Sequence, residues 1–440
     1  MNRVTLLLLL FFIGGCAAAN IDLQPRINTL IAAGQFKRAV KTFETQKEAY
    51  GPRNELLYYL DKGLCLQIAG QYQESVDAFE KAKTKFEALY TKSLRDIART
   101  WIINDTKAPY RGEDFEHVLV HIFQAINFMA LHNRSEALVE ARAADGTLKL
   151  LNDLYPPGQK NVYREDGFAR LLMGILWEGS GNDQDLNDAL IAYKKSLEIY
   201  QSGVHHAIPP GILSENLLAI EEYLGVAPRD FLTTTAYRTL KDKRQNSEVY
   251  LIHYNGLSPI KHPTVIPIPL PGGIISQLAF PKYDNRFYEI THSNFEAQNE
   301  SGQLFKSKTE LAEDIEALAQ ENLKNRRLRV YAKAVLRPAG KYLLEKGLTQ
   351  KVRKKNNDLA GIAVGGLSIW YNLYSEQANL RSWQTLPAQI RIARFILPPG
   401  TYSFKVKHFG DGESFLEENN LGKLTLKAGD QKFLIVRTVR

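Results

Sequence analysis

The stretch from Tyr59 to Ala82, YLDKGLCLQIAGQYQESVDAFEKA, constrains the fold of this 440-residue chain more than any other. It reads as two helices hinged at Ala69-Gly70-Gln71. Tyr72, Ser75, Phe79 and Ala82 fall at three- and four-residue steps, which places them on one helical face. Gly63 sits where the two helices must touch, so a small residue lets them approach while aromatics fill the space beside it. Thirty-six residues before Gly70, the run Gly34-Gln35-Phe36 with Ala39 and Phe43 repeats the same turn and second helix. A hairpin that recurs at a fixed interval points to stacked units, each too small to bury its apolar face alone.

The pattern G-x-x-x-x-x-x-G-x-Y-x-x-S-x-x-x-F-x-x-A from Gly63 to Ala82 resembles a tetratricopeptide repeat. The resemblance implies an all-α solenoid and a binding scaffold in place of a catalyst. Beyond this unit the spacing loosens. His117 to Leu131 followed by Ser135, Ala137, Ala141 and Ala144 reads as a third hairpin, and Phe168 to Trp177 followed by Ala189, Tyr193 and Leu197 as a fourth. Inserted material, including 89–112 and the loop Tyr155-Pro156-Pro157-Gly158, stretches the intervals. In the register of the resemblance, Leu57, Leu60, Leu64 and Gln67 face a concave groove, with Leu119, Ile122, Ile126 and Met129 as their equivalents in the third hairpin. That surface is mostly apolar and suits an amphipathic helix or an extended peptide. Filling of the groove by inserted segments or by the C-terminal domain is the alternative.

After Gly225 the texture changes. EVYLIHY at Glu248–Tyr254 has strand composition. The prolines of Lys261–Gly273, at 263, 267, 269 and 271, forbid a helix and predict an extended edge or loop. Ile275–Phe280 and Phe287–Thr291 are short strand candidates, Thr309–Asn322 has helical periodicity, and a basic helix with a break at Pro338 follows over Arg326–Lys346. The last sixty residues alternate as strands do around the turns Pro398-Pro399-Gly400 and Gly429-Asp430. The runs Pro398–Val406 and Leu424–Val436 resemble the small β-sandwich modules appended to bacterial surface proteins. The expected organisation is thus a helical repeat domain over 22–225 followed by an α+β domain over 226–440. Within the latter, strands are expected over 248–291, helices over 309–376 and a terminal β module over 381–440.

The first residues supply an address. Arg3 precedes an apolar run from Val4 to Ile13, too short to span a bilayer, and small residues follow. Ile13-Gly14-Gly15-Cys16 resembles a bacterial lipobox. The resemblance implies removal of residues 1–15, acylation of Cys16, and a short tether over 16–21 to a membrane. With Ala17 after the cysteine, an outer-membrane, periplasm-facing position is expected. Cys16 and Cys65 are the two cysteines, which excludes a disulfide framework, and Cys65 inside a repeat helix reads as a small buried hydrophobe.

Few local motifs suggest chemistry. No G-x-S-x-G, P-loop or C-x-x-C occurs. His117 and His121 share a helical face but lack an intervening Glu and a third ligand, so no metal is expected. Glu113, Asp114 and Glu116 read as helix N-terminal carboxylates. The glycine-rich 361–366 lacks a dinucleotide fingerprint, the acidic 411–418 lacks EF-hand spacing and reads as a solvated turn, and no cofactor is expected. The formal charge of +8 is concentrated between Lys306 and Lys355, with 14 Lys and Arg against 6 Asp and Glu. Lys324, Arg326, Arg327, Arg329, Lys351, Arg353, Lys354 and Lys355 are candidate contacts to anionic lipid or glycan. Nucleic acid is not expected as a partner, because no aromatic platform accompanies them. The apolar stretch Leu359–Tyr374 reads as a buried core helix, with an interfacial helix as the alternative.

The order of lipobox, loose repeats, YRGEDFEHV at Tyr110–Val118 and RSWQTLPAQIRIARFILPPGTY at Arg381–Tyr402 resembles a group of bacterial repeat lipoproteins. It brings an architecture and an address but no established activity. The expected function is a lipid-anchored scaffold or assembly factor that binds an envelope protein. The alternatives are a regulator or enzyme of envelope glycan metabolism and a structural assembly subunit.

Overall fold

The computed structural model describes residues 23–95, 108–153, 165–180, 182–203, 207–227, 236–270, 274–324 and 378–440. The N-terminal half is helical: α1 (Leu23–Ala32), α2 (Phe36–Thr45), α3 (Lys47–Tyr50), α4 (Glu55–Ile68), α5 (Tyr72–Arg95), α6 (Asp114–Ala130), α7 (Arg134–Asp153), α8 (Gly167–Glu178), α9 (Asp183–Gln201), α10 (Gly211–Leu224) and α11 (Leu240–Gln245). The first three hairpins turn in the same way. Gln35, Gln71 and Asn133 donate their backbone N–H to Leu30, Leu66 and Phe128 carbonyls, respectively. Gly34 and Gly70 take the required left-handed conformation at φ +67° and +77°, and in the third hairpin His132 takes it at φ 59°. A search for glycine misses that third turn.

Helix contact explains the other glycines. A Cβ built on Gly63 would lie 2.7 Å from the Phe79 ring, and one on Gly174 would collide with Tyr193. Ser75 Oγ donates to the Gly63 carbonyl and Ser196 Oγ to the Gly167 carbonyl, both at 2.7 Å. The same pair of devices, small residue against ring and hydroxyl against carbonyl, thus holds the α4–α5 and α8–α9 hairpins.

The C-terminal half builds β1 (Ser247–Asn255), β2 (Ile260–Leu270), β3 (Ile274–Asp284), β4 (His292–Asn299), β5 (Leu304–Lys308), β6 (Glu310–Asp314), β7 (Gln389–Leu397), β8 (Gly400–Phe409), β9 (Phe415–Leu426) and β10 (Gln431–Arg437). They form a sheet of order β10-β1-β7-β6, a second of order β5-β4-β8-β9, and a separate β2–β3 ribbon. The first sheet is the middle layer. From β1, Tyr250, Ile252 and Tyr254 join the helical core, while Val249 and Leu251 pack with Phe295, Phe404 and Val406 of the second sheet. All nine residues of β1 are buried, the expected state of a strand covered on both faces.

Three expectations change. The strands of 381–440 do not make a module of their own: β10 and β7 flank β1, and β8 pairs with β4. β8 and β9 still pair as neighbours in sequence, but β7, β8 and β10 also take partners far earlier in the chain. Phe287–Thr291 is not a strand; Arg286 Nε holds the segment by donating to the Ser258 carbonyl at 2.6 Å, and the strand begins at His292. In place of one helix over Thr309–Asn322, Glu310–Asp314 pairs with the edge of β7 and helix starts at 315. Ladder pairing and full burial of Ala312 outweigh helical preference there. The basic helix and Leu359–Tyr374 lie outside the described residues.

Candidate functional site

All eight residues expected to line the groove are buried: Leu57, Leu60, Leu64, Gln67, Leu119, Ile122, Ile126 and Met129. The seven apolar ones share one core with Tyr250, Tyr254, Trp383, Leu386 and Phe433 from the C-terminal half. Of the two alternatives left open for this face, the described residues agree with filling by the C-terminal half: the chain's own sheet and the loop before β7 pack against it. Covering it removes apolar area from water at about 25 cal/mol per Å². Trp383, 1% exposed, sits edge-on to Phe79 and Phe123, and Tyr254 sits edge-on to Phe123.

Polar groups at this seam are paired across it. Gln67 Nε2 donates to the Phe123 carbonyl and Asn127 Oδ1, each at 2.8 Å, and its Oε1 accepts from Tyr254 OH at 2.9 Å. Asp61, with no exposed surface, accepts from Gln24 Nε2 at 2.7 Å, Tyr50 OH at 2.9 Å and Thr385 Oγ1 at 2.8 Å. Burial pushes its carboxyl up to about 6 against the pull of those donors. Glu116 accepts from Tyr110 OH at 2.6 Å, the Glu113 N–H at 3.0 Å and the Trp383 N–H at 2.8 Å. Arg381 donates to Asn54 Oδ1 and the Ala108 carbonyl and lies over the Tyr110 ring. The two stretches that carry the whole-chain resemblance, Tyr110–Val118 and Arg381–Tyr402, thus meet here.

Glu116 also makes the capping box with Glu113 at the start of α6, as the acidic run predicts. Burial first, then the neighbouring Glu113, pushes its carboxyl up to about 7. The folded chain therefore keeps a proton that the unfolded chain, with an ordinary glutamate, releases near pH 4.5. Stability from this group is full below about pH 4.5 and falls as pH rises toward 7, by roughly 3 kcal/mol in total. Urea unfolding of Glu116→Gln is expected to lose less stability between pH 5 and 7.5 than the parent, by about 2 kcal/mol. Parallel pH profiles for the two proteins would contradict the assignment.

A second buried polar cluster joins α8, α9, α10 and α11 to the middle sheet. Lys243 pairs with Glu178 and, at 3.1 Å, with Glu248; Arg394 pairs with Glu248 at 3.2 Å and with Glu215. Tyr193 OH donates to Glu178 at 2.7 Å and accepts from Asn216 Nδ2 at 2.9 Å. Burial raises the Glu178 carboxyl; Lys243 and Arg394 outweigh burial at Glu248 and hold it low. Sequence reading passed over this cluster and over Asp61, Thr385 and Trp383, because their partners lie up to hundreds of residues away.

The remaining candidates fall elsewhere. His117 Nε2 lies 3.0 Å from the Arg111 carbonyl and its ring lies tilted against Phe86, whereas His121 bridges Glu140 at 2.7 Å and Thr147 at 3.2 Å. The two imidazoles are directed to different partners, and among the described residues no three ligands gather as a metal site. Cys65 is buried, and burial raises its thiol. Asp411–Glu413 forms an exposed 3-10 turn, with Glu413 beside His292 at 3.0 Å. Lys324 is exposed beside Glu321. Cys16, Gly361–Gly366, Arg326, Arg327, Arg329, Lys351, Arg353, Lys354 and Lys355 lie outside the described residues.

Between the sheets Ser293 Oγ lies 2.7 Å from His408 Nδ1, and His408 Nε2 lies 2.8 Å from Asn419 Oδ1. The row has nucleophile-like elements, but neither Ser293 nor His408 has exposed surface, and burial drops the His408 imidazole to about 4. A substrate has no approach to it in this conformation. The outer face of the second sheet is different in kind. Lys306, Lys405 and Lys407 lie 3.3–3.6 Å from Glu296, with Lys308 and Lys423 nearby in register. Burial raises the Glu296 carboxyl, but the three ammonium groups outweigh it and hold the group low.

No helix among the described residues is long and apolar enough to cross a membrane. No family model and no curated protein matches the chain. A solved structure of a tetratricopeptide repeat protein from Parabacteroides merdae ATCC 43184 is similar over 51% of this chain and 85% of its own, with 13% identity and a TM-score of 0.21.

Proposed function

We propose that this chain is a membrane-anchored, non-catalytic scaffold of the bacterial envelope. Acyl chains on Cys16 hold it to the outer membrane, and the folded body offers a docking face to an envelope protein. The observation that carries this reading is the occupied groove. With the apolar concave face used internally, the helices and the middle sheet form one body whose polar cross-links are structural, and a partner must bind outside it. The lysine-bearing outer face of the β5-β4-β8-β9 sheet is the surface best suited to an acidic partner, and tethering raises the local concentration at which it acts.

In-cell crosslinking of the tagged chain, followed by detergent extraction and mass spectrometry, tests the reading. One stoichiometric envelope protein is expected from the parent, less from Cys16→Ser, and less from a Lys308→Ala, Lys423→Ala pair. Capture of that protein undiminished by both changes would overturn it, as would capture of glycan and lipid alone.

A further inference from the structure

Among the described strands, β2 and β3 pair only with each other. They run antiparallel from Ile260–Asp284 at the base to Leu270–Ile274. The nine steps from Lys261 to Leu270 reach about 30 Å. The base is fixed to the body: Lys261 Nζ pairs with Glu113, donates to the Arg381 carbonyl at 3.2 Å and lies 5.3 Å from the centre of the Tyr283 ring. Beyond it, the nineteen residues from Pro263 to Pro281 contain no Asp, Glu, Lys or Arg, in a chain where such residues make up 24%. Val265, near the base, is 48% exposed.

The prolines of β2 determine what this ribbon can meet. In an antiparallel ladder, alternate residues turn their N–H toward the partner strand and away from it. Pro263, Pro267 and Pro269 all lie at odd positions of an unbroken ladder, so the odd positions are those facing the free edge. Of 263, 265, 267 and 269, Val265 alone keeps an N–H. A protein strand adding to this edge would find almost no donors, which disfavours strand addition and closure of copies into a barrel there. The same loss makes the edge cheaper to carry into an apolar medium, where each unsatisfied polar group costs several kcal/mol.

We propose that the β2–β3 ribbon inserts its tip into the apolar layer of a lipid bilayer. Its reach of about 30 Å compares with a hydrocarbon core of about 30 Å. His262 and Lys282, exposed at the base, stand at headgroup level, while Lys261 is held by the body. The β3 edge keeps the donors of Ile275, Gln277 and Ala279, so the ribbon enters tilted, with that edge toward the headgroups. This contact is additional to the acyl anchor and does not depend on it.

The test places an environment-sensitive fluorophore on Leu270→Cys, in the acylated chain reconstituted into phosphatidylethanolamine and phosphatidylglycerol vesicles and in the Cys16→Ser form with such vesicles added. A blue shift on vesicles, quenched by lipid carrying a nitroxide on its acyl chain and abolished by Ile268→Asp with unchanged circular dichroism, is expected. Water-like emission from the acylated chain on vesicles would overturn the proposal. So would emission already apolar before vesicles are added, which would mean that a protein surface covers the ribbon. Sedimentation of the Cys16→Ser, Ile268→Asp double variant against Ile268→Asp reports on the anchor with the ribbon contact removed, so the two readings fail independently.

Discussion

Replacing Lys243 by Met is expected to destabilise the protein by about 3–5 kcal/mol, because it leaves the buried Glu178 and Glu248 carboxylates short of a counter-charge. Lys243 is 4% exposed and lies between α8, α10 and β1, so neither carboxylate has water to fall back on. Protonation of Glu178, whose carboxyl burial already raises, offsets part of the loss, so the deficit is expected to be smaller at pH 5 than at pH 8. Removing the charge on both sides, as Lys243→Met with Glu178→Leu, is expected to recover much of the stability. Arg394 and Glu248 remain to balance each other at 3.2 Å. Urea unfolding of the two single variants and the double variant gives the coupling directly. A double variant no more stable than Lys243→Met would show that the pair is not the source of the effect.

Trp383→Ala is expected to cost about 3–5 kcal/mol through the cavity it leaves between Phe79 and Phe123. Its indole Nε1 donates to Thr385 Oγ1 at 3.0 Å, and Thr385 in turn donates to Asp61. Loss of the ring therefore also loosens the hydroxyl that satisfies a buried carboxylate. The expected signature is a lower urea midpoint together with faster proteolytic cleavage in the 378–388 loop, whose seating depends on that ring. Trp383→Phe keeps most of the volume and is expected to restore over half of the loss. Equal stability of the Ala variant and the parent would mean that the loop does not seal the helical face.

Much of the helical half is legible in the sequence because its determinants are local. Gly70 and Gly34 turn the chain, Gly63 admits Phe79, and Ala137, Ala141 and Ala144 line the buried face of α7. The His132 turn shows the limit, since a residue with a side chain adopts the left-handed conformation there. The strand at β1 is also legible, because EVYLIHY has the composition of a strand buried on both sides. The division of 310–324 into strand and helix is not, because the free edge of β7 that captures Glu310–Asp314 lies some eighty residues away.

By itself the sequence determined the helical hairpins, their glycine turns at Gly34 and Gly70, the strand-rich nature of the C-terminal half, and the charge-free run from Pro263 to Pro281. Each follows from residues within a few turns or a few strand steps of one another. Tertiary structure alone decided that β10 and β7 flank β1, that Trp383 and Tyr254 fill the face lined by Leu60 and Ile122, and that Asp61, Glu116 and Lys243 are sealed among partners. Burial and ladder pairing are settled by whichever segments meet in space, and an exposed apolar face of that size is covered by the nearest sheet that fits it.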